Sequence, residues 1–207
     1  MAALSDFNQL VRIFVPGAPD PTIEFAVRES ARRFCSLSWF ARRSINVTLV
    51  LDQETYTLAP SSSEEEIVGV HAVEFRERPL GPTKPELVAT STGTPRAFYF
   101  EPSTYLTLDP YPDSDAAGED IIVRIATQPT LTTETIAEDI VREYRQCIAN
   151  GAIAWLLNVP KQPWTDQQMG QNMERKFLAQ CNRAKEATLR GHQPWGINVR
   201  RPVFAVR

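Results

Sequence analysis

The sequence predicts an α+β protein: a helical bundle, made of an N-terminal helix and a C-terminal helical hairpin, carries an inserted β-sandwich-like domain and ends in an extended C-terminal arm. Three observations predict it. Apolar residues recur at three- and four-residue spacing near both ends of the chain, they alternate singly through its middle, and both periods stop after Gly191. The expected divisions are 1–44 for the N-terminal segment and helix, 45–130 for the β-domain, 131–192 for the hairpin and 193–207 for the arm.

The first fifteen residues are too irregular to assign, and PGAPDP then punctuates the chain. Asp20 suits an N-cap and Pro21 a first helical position, where its missing N–H is no loss. Ile23, Ala26, Val27, Ser30, Ala31 and Phe34 fall on one face of the helix that follows. Arg28, Arg32 and Arg33 fall on the other, with Arg42 and Arg43 beyond. Such a basic strip is either a solvated face or an intersubunit or channel-lining surface.

From Ile45 the period becomes two. Val47, Leu49 and Leu51 alternate with Asn46, Thr48 and Val50, and Asp52 to Glu54 turn the chain into Thr55 to Leu58, which reads as a β-hairpin. Further strands are expected at Ile67 to Arg76, Ala97 to Phe100, Tyr105 to Leu108 and Ile121 to Ala126, between stretches rich in Pro, Gly and Asp. Ser61 to Glu66 is a polar loop, and its Glu64, Glu65 and Glu66 read as solvated surface rather than as a catalytic carboxylate pair.

In the hairpin, Ile136, Ile140, Val141, Tyr144, Ile148, Ala152, Trp155 and Leu156 mark a buried helical face. Ala149, Gly151, Ala152 and Ala154 interrupt the bulky residues and allow a second helix to approach closely. Pro160 and Pro163 end this helix near Asn158, and Thr165 with Gln168 fits a capping box for the next. Met169, Met173, Phe177, Cys181, Ala184 and Thr188 then share a face until Gly191 supplies a left-handed stop.

Composition narrows the class. With 43% hydrophobic and 23% charged residues in 207, the chain can bury a core of its own, which excludes general disorder. A net charge of -3 gives no bulk attraction to nucleic acid, so a DNA contact has to come from a local patch such as Arg183, Lys185, Arg190, Arg200, Arg201 and Arg207. No run of ~18 apolar residues and no basic-then-apolar N-terminus is present, so no membrane partner and a reducing, cytoplasmic place of assembly are expected. Cys35, Cys147 and Cys181 lack CxxC spacing and suit core positions.

The search for chemistry is negative. His71 and His192 stand outside any HExxH, HxH or His–Cys pattern, and no GxSxG, Walker or dinucleotide fingerprint occurs. No metal, no cofactor and no catalytic residue is expected. Trp155, Trp164 and Trp195 read as packing residues before base-stacking ones. The final run of Ile197, Val199, Arg200, Arg201, Pro202, Val203, Phe204, Val206 and Arg207 is apolar and basic without helical period. Left in solvent, each such Phe or Val forgoes roughly 1.5–3 kcal/mol of burial, so the run is either a disordered terminus or an arm that orders on a partner.

The order of features "E…IANGAIAWLL..P..PW.D" followed by "F…..RAKEATLRG" resembles the head-to-tail adaptor (connector) proteins of tailed bacteriophages, most strongly over Ile136 to Gly191. The resemblance implies a structural virion protein of the head–tail junction, assembled in the host cytoplasm as a homo-oligomeric ring, a dodecamer, beneath the portal protein. It implies that the ring extends the DNA channel and passes double-stranded DNA without sequence preference. The β-domain would meet tail or nozzle proteins, and residues 197–207 would dock into the portal. Two other classes stay in view: a nucleic-acid-binding module using the arginines of the first helix and tail, and a small hydrolase built on distant residues such as His71 and Asp109.

Overall fold

Two buried clusters organise the chain, one among helices and one between sheets. The computed structural model describes residues 1–84, 91–101 and 104–191; the expected arm at 193–207, with His192 and Trp195, lies outside the described residues.

The N-terminus is more ordered than its sequence suggests. Strand β1 (Ala2–Ala3), a 3-10 turn (Leu4–Phe7) and helix α1 (Asn8–Arg12) bury Phe7, Val11 and Val15, which are spaced four apart. Helix α2 (Asp20–Ser38) begins one residue earlier than expected, with Pro19 rather than Asp20 at the cap; Asp20 pairs instead with Arg12. Its expected face is buried throughout. Trp39, with φ of 53°, ends it in a left-handed residue, and its indole lies where a Cβ on Gly69 would come within 3.0 Å.

Among the described residues the β region has ten strands: β2 (Arg42–Thr48), β3 (Thr55–Thr57), β4 (Glu65–Phe75), β5 (Arg78–Pro79), β6 (Gly81–Pro82), β7 (Thr92–Gly93), β8 (Ala97–Glu101), β9 (Tyr105–Asp109), β10 (Tyr111–Pro112) and β11 (Asp120–Pro129). They give two four-stranded sheets, ordered β2-β11-β4-β5 and β3-β9-β8-β6, and a minor β10-β7 pair. The hairpin expected from Ile45 to Leu58 does not form. β2 pairs antiparallel with β11 and β3 with β9, in different sheets. Alternation told that Val47 and Leu49 face inward, whereas Leu51 is 52% exposed, and it carried no information on the partner. Leu49, Tyr56, Val73, Leu106, Leu108, Ile121 and Val123 fill the space between the sheets.

β11 serves both clusters. Ile121, Val123 and Ile125 face the sandwich, and register irregularities at Arg124/Ile125 and Ala126/Thr127 then bring Ala126 and Thr127 into burial as well. A bulge of this kind re-aims a strand partway along its length. The strand thereby reaches α2, against which it packs.

Strand β12 (Thr135–Ile136) pairs antiparallel with β1, so Ile136 belongs to a strand and not to the helix in which its spacing placed it. Helix α3 (Glu138–Leu157) is kinked at Tyr144 (φ -124°, ψ 19°) and ends at Asn158 as expected. Helix α4 (Gln167–Leu189) is capped by Asp166, whose Oδ1 accepts from the Met169 N–H at 2.9 Å. The Thr165–Gln168 box is therefore not used. A carboxylate at the helix N-terminus satisfies the free donor and meets the dipole favourably, while Thr165 Oγ1 donates to the Val159 carbonyl and accepts from the Gln162 N–H, bracing the turn. Gly191 is left-handed, with φ of 65°.

The small-residue patch does bring the helices together. Ser30 Oγ on α2 donates to the Ile148 carbonyl of α3 at 2.8 Å, and a Cβ on Gly151 would strike that Ser30 Oγ and come within 2.8 and 2.9 Å of the Phe177 ring on α4. Three helices thus meet at one residue without a side chain. Gly151→Ala should destabilise the fold by about 1–3 kcal/mol, the cost of overpacking a filled core. Urea denaturation reads this as a lower midpoint at unchanged slope.

Candidate assembly surfaces

Most of the charge that looked solvated in the sequence joins the bundle to the sheets. Arg28 Nε donates to the Thr133 carbonyl at 2.7 Å. Arg32 donates to the Pro129 carbonyl at 2.7 Å and to Glu66 at 2.8 Å, and Gln128 donates to the same carboxylate. Arg43 pairs with Glu65 at 2.9 Å and with Asp139 at 3.5 Å. Glu64 accepts from the hydroxyls of Thr133 at 3.2 Å and Thr135 at 2.6 Å. The acidic triplet is therefore a seam, a correction to its reading as solvated surface. Its partners lie far off along the chain, which is why no local spacing announced them.

Of the three arginines expected on an outer face, Arg28 thus binds the segment between β11 and α3, and Arg32 binds the end of β11 and the start of β4. Arg33 pairs with Glu174 of α4 and stacks over the Phe177 ring at 5.3 Å, while its side chain stays 51% exposed.

The outside of the bundle carries an aromatic pair. Phe25 of α2 and Trp155 of α3 meet edge to face, with centroids 5.4 Å apart, yet stay 44% and 42% exposed. Trp155 was expected inside with Leu156. Residues Cys147 to Ala154 are all buried, so this part of α3 is wrapped on every side by its own fold, and the indole is the first side chain to emerge from it. Trp164, in contrast, packs against the helical core as expected.

The sequence model of the SU10 adaptor protein family matches residues 3–200, from β1 through both sheets and both hairpin helices. The chain belongs to the SU10 adaptor protein family. It is a phage head-to-tail adaptor, a structural protein of the virion's head–tail junction. No curated protein matches the chain.

The two residues weighed for a hydrolase lie in different sheets of the adaptor. His71 is exposed on β4, and partial burial with the nearby guanidiniums of Arg42 and Arg124 lowers its pKa below the usual 6.5. Asp109, the carboxylate suggested beside it for a hydrolase, ends a strand of the other sheet. Among the described residues no group of three or more His, Cys, Asp or Glu side chains could hold a metal ion, and no helix is long and apolar enough to cross a membrane. The three cysteines are free and buried, and burial pushes the Cys35 thiol far up.

The seam makes a test of its own. Arg32 is 16% exposed and satisfies a carbonyl and a carboxylate together, so Arg32→Ala should lower stability by about 1.5–3 kcal/mol, the range for hydrogen bonds to a charged group. Arg142→Ala, at a side chain 73% exposed, should change it by less than about 0.5 kcal/mol. Chemical denaturation of the two variants side by side measures the difference.

Proposed function

We propose that this adaptor closes into a ring beneath the portal, extends the DNA channel through its centre and offers the platform to which tail or nozzle proteins attach. The match to the adaptor family over residues 3–200 carries the reading. Closing a ring requires heterologous contacts, in which one face of a subunit meets a different face of its neighbour. The Phe25–Trp155 pair supports the bundle as that lateral face: two large aromatics stand half out of a surface where their burial by a neighbour would be favourable. Arg33, still half exposed beside Glu174, is the one arginine of the α2 strip with surface left to offer the same contact.

The rest of the assignment follows the family. The dodecameric count matches the portal's symmetry in adaptors of this kind. The arm at residues 197–207 anchors the ring to the portal, and double-stranded DNA passes the lumen without sequence preference, since tight phosphate contacts would oppose ejection. The inward pairing of Arg28 and Arg32 weighs against the nucleic-acid-binding module that the sequence also allowed.

Two variants separate the parts. Deleting residues 197–207 should leave the thermal melt unchanged and abolish attachment to purified portal, seen as loss of the ring in electron micrographs. Replacing Phe25 and Trp155 together by Ala should keep the fold and the monomer but prevent ring closure on the portal. Rings formed normally by the double variant would remove the lateral contact, and strong, salt-sensitive binding of free duplex DNA by the isolated chain would reassign the protein to nucleic-acid binding.

A further inference from the structure

At the end of the sandwich a groove of about 530 Å³ opens beside the turn that joins β4 to β5. Its floor is apolar, with Phe75, Leu80 and Pro95 all buried, and three arginines, Arg76, Arg78 and Arg96, stand on its walls. The turn is unusual. Phe75 pairs with Arg78 across the ladder, so Arg76 and Glu77 are the two central residues of a tight hairpin, and both have left-handed φ, 47° and 61°. Glycine or asparagine ordinarily fills such positions, and other residues cost of the order of 1 kcal/mol or more each.

What holds the turn there is also what orients the arginines. Arg76 donates to both oxygens of Glu119 at 2.7 and 2.8 Å and to the Asp115 carbonyl at 2.6 Å, and lies over the Phe75 ring at 5.0 Å. Its charge is answered. Arg78 and Arg96 are exposed on the same walls, and neither guanidinium has a partner among the described residues. Two cations unanswered among the described residues, above an apolar floor, define a ligand by chemistry: carboxylates spaced along a chain that also has apolar groups to bury.

We propose that this groove docks an extended acidic segment of a partner protein, with its carboxylates on Arg78 and Arg96 and its apolar side chains against Leu80 and Pro95. It rests on and deepens the adaptor reading, taking the β-domain as the side that meets tail or nozzle proteins, by naming what that side recognises. Duplex DNA fits worse. Asp113, Asp115 and Glu119 surround Arg76 at the same end; a short flexible segment can keep its carboxylates on Arg78 and Arg96, whereas a stiff phosphate backbone passing the groove would meet these acids. Strand addition fits worse too, because Pro79 and Pro82 on the neighbouring short edges β5 and β6 have no N–H to give a new ladder.

The test uses the full chain and three labelled probes: a peptide alternating glutamate with alanine and leucine, the same peptide with glutamine for glutamate, and a short duplex DNA. Fluorescence anisotropy at low salt should show the acidic peptide binding, the glutamine peptide not, and the acidic peptide losing about tenfold or more in affinity with Arg78→Gln plus Arg96→Gln. Arg142→Gln controls for the loss of a surface charge elsewhere. Equal binding of the acidic peptide by wild type and double variant overturns the proposal, as does equal binding of the two peptides. Binding of the duplex that falls in the double variant overturns it in favour of a phosphate backbone. A thermal melt confirms that the variant is folded, which its exposed positions favour. Ring formation on portal is scored separately. Rings from the double variant together with lost peptide binding support both readings, whereas no rings from wild type removes the adaptor ring and leaves the peptide titration to decide the groove.

Discussion

The ion pair between Arg32 and Glu66 is the constraint on which the relation of the two halves depends. Arg32 stands on the helix that the bundle is packed around, Glu66 on the strand that runs the length of the sandwich, and the Pro129 carbonyl closes the triangle from the end of β11. A planar guanidinium suits this task because its fork reaches two acceptors in fixed directions, whereas an ammonium would act as a point charge. Around it, the Glu65–Arg43 pair and the Glu64 hydroxyl contacts extend the same seam, and the Trp39 indole covers Gly69 where helix passes to sheet. A seam of several directional contacts fixes the orientation of bundle and sheets in a way that a non-directional apolar patch does not.

The two cores are built on different logic. In the bundle, close approach is set by absence: Gly151 leaves room for Ser30 and Phe177, and the polar side chains Asn150 and Gln180 hydrogen-bond across α3 and α4 at 3.1 Å. In the sandwich, β-branched and aromatic residues interleave from both sheets. β11 belongs to both, and its bulge is what lets one strand turn an apolar face first to the sandwich and then to α2.

Helix faces were legible because their information is local. Ile23 to Phe34 and Met173 to Thr188 are buried at the spacing the sequence displays, and the stops at Asn158 and Gly191 are written by Pro and Gly. Strand pairing was not legible, because the alternation in Asn46 to Val50 is equally compatible with any partner. The seam escaped for the same reason: a run of three glutamates has the same appearance whether water or a distant arginine answers it. Trp155 misled through its company, since every neighbour on its helix is buried and only the third dimension shows that it is not. At the N-terminus the Phe7, Val11, Val15 spacing was a usable signal, hidden by Ile13, which is 73% exposed.

Helix α2 binds α3 across a large stretch of chain: Ser30 and Ile148 are 118 residues apart, and β1 finds its partner only at β12. During synthesis on the ribosome, therefore, the first long helix emerges with only the short N-terminal turns against it, and the side that meets α3 stays bare while the whole sandwich is translated. The intervening strands have their mates within the intervening sequence and are free to close first. The nascent polypeptide thus carries a sticky amphipath at its leading end until the hairpin arrives to cover it, the interval in which holding by a chaperone matters most.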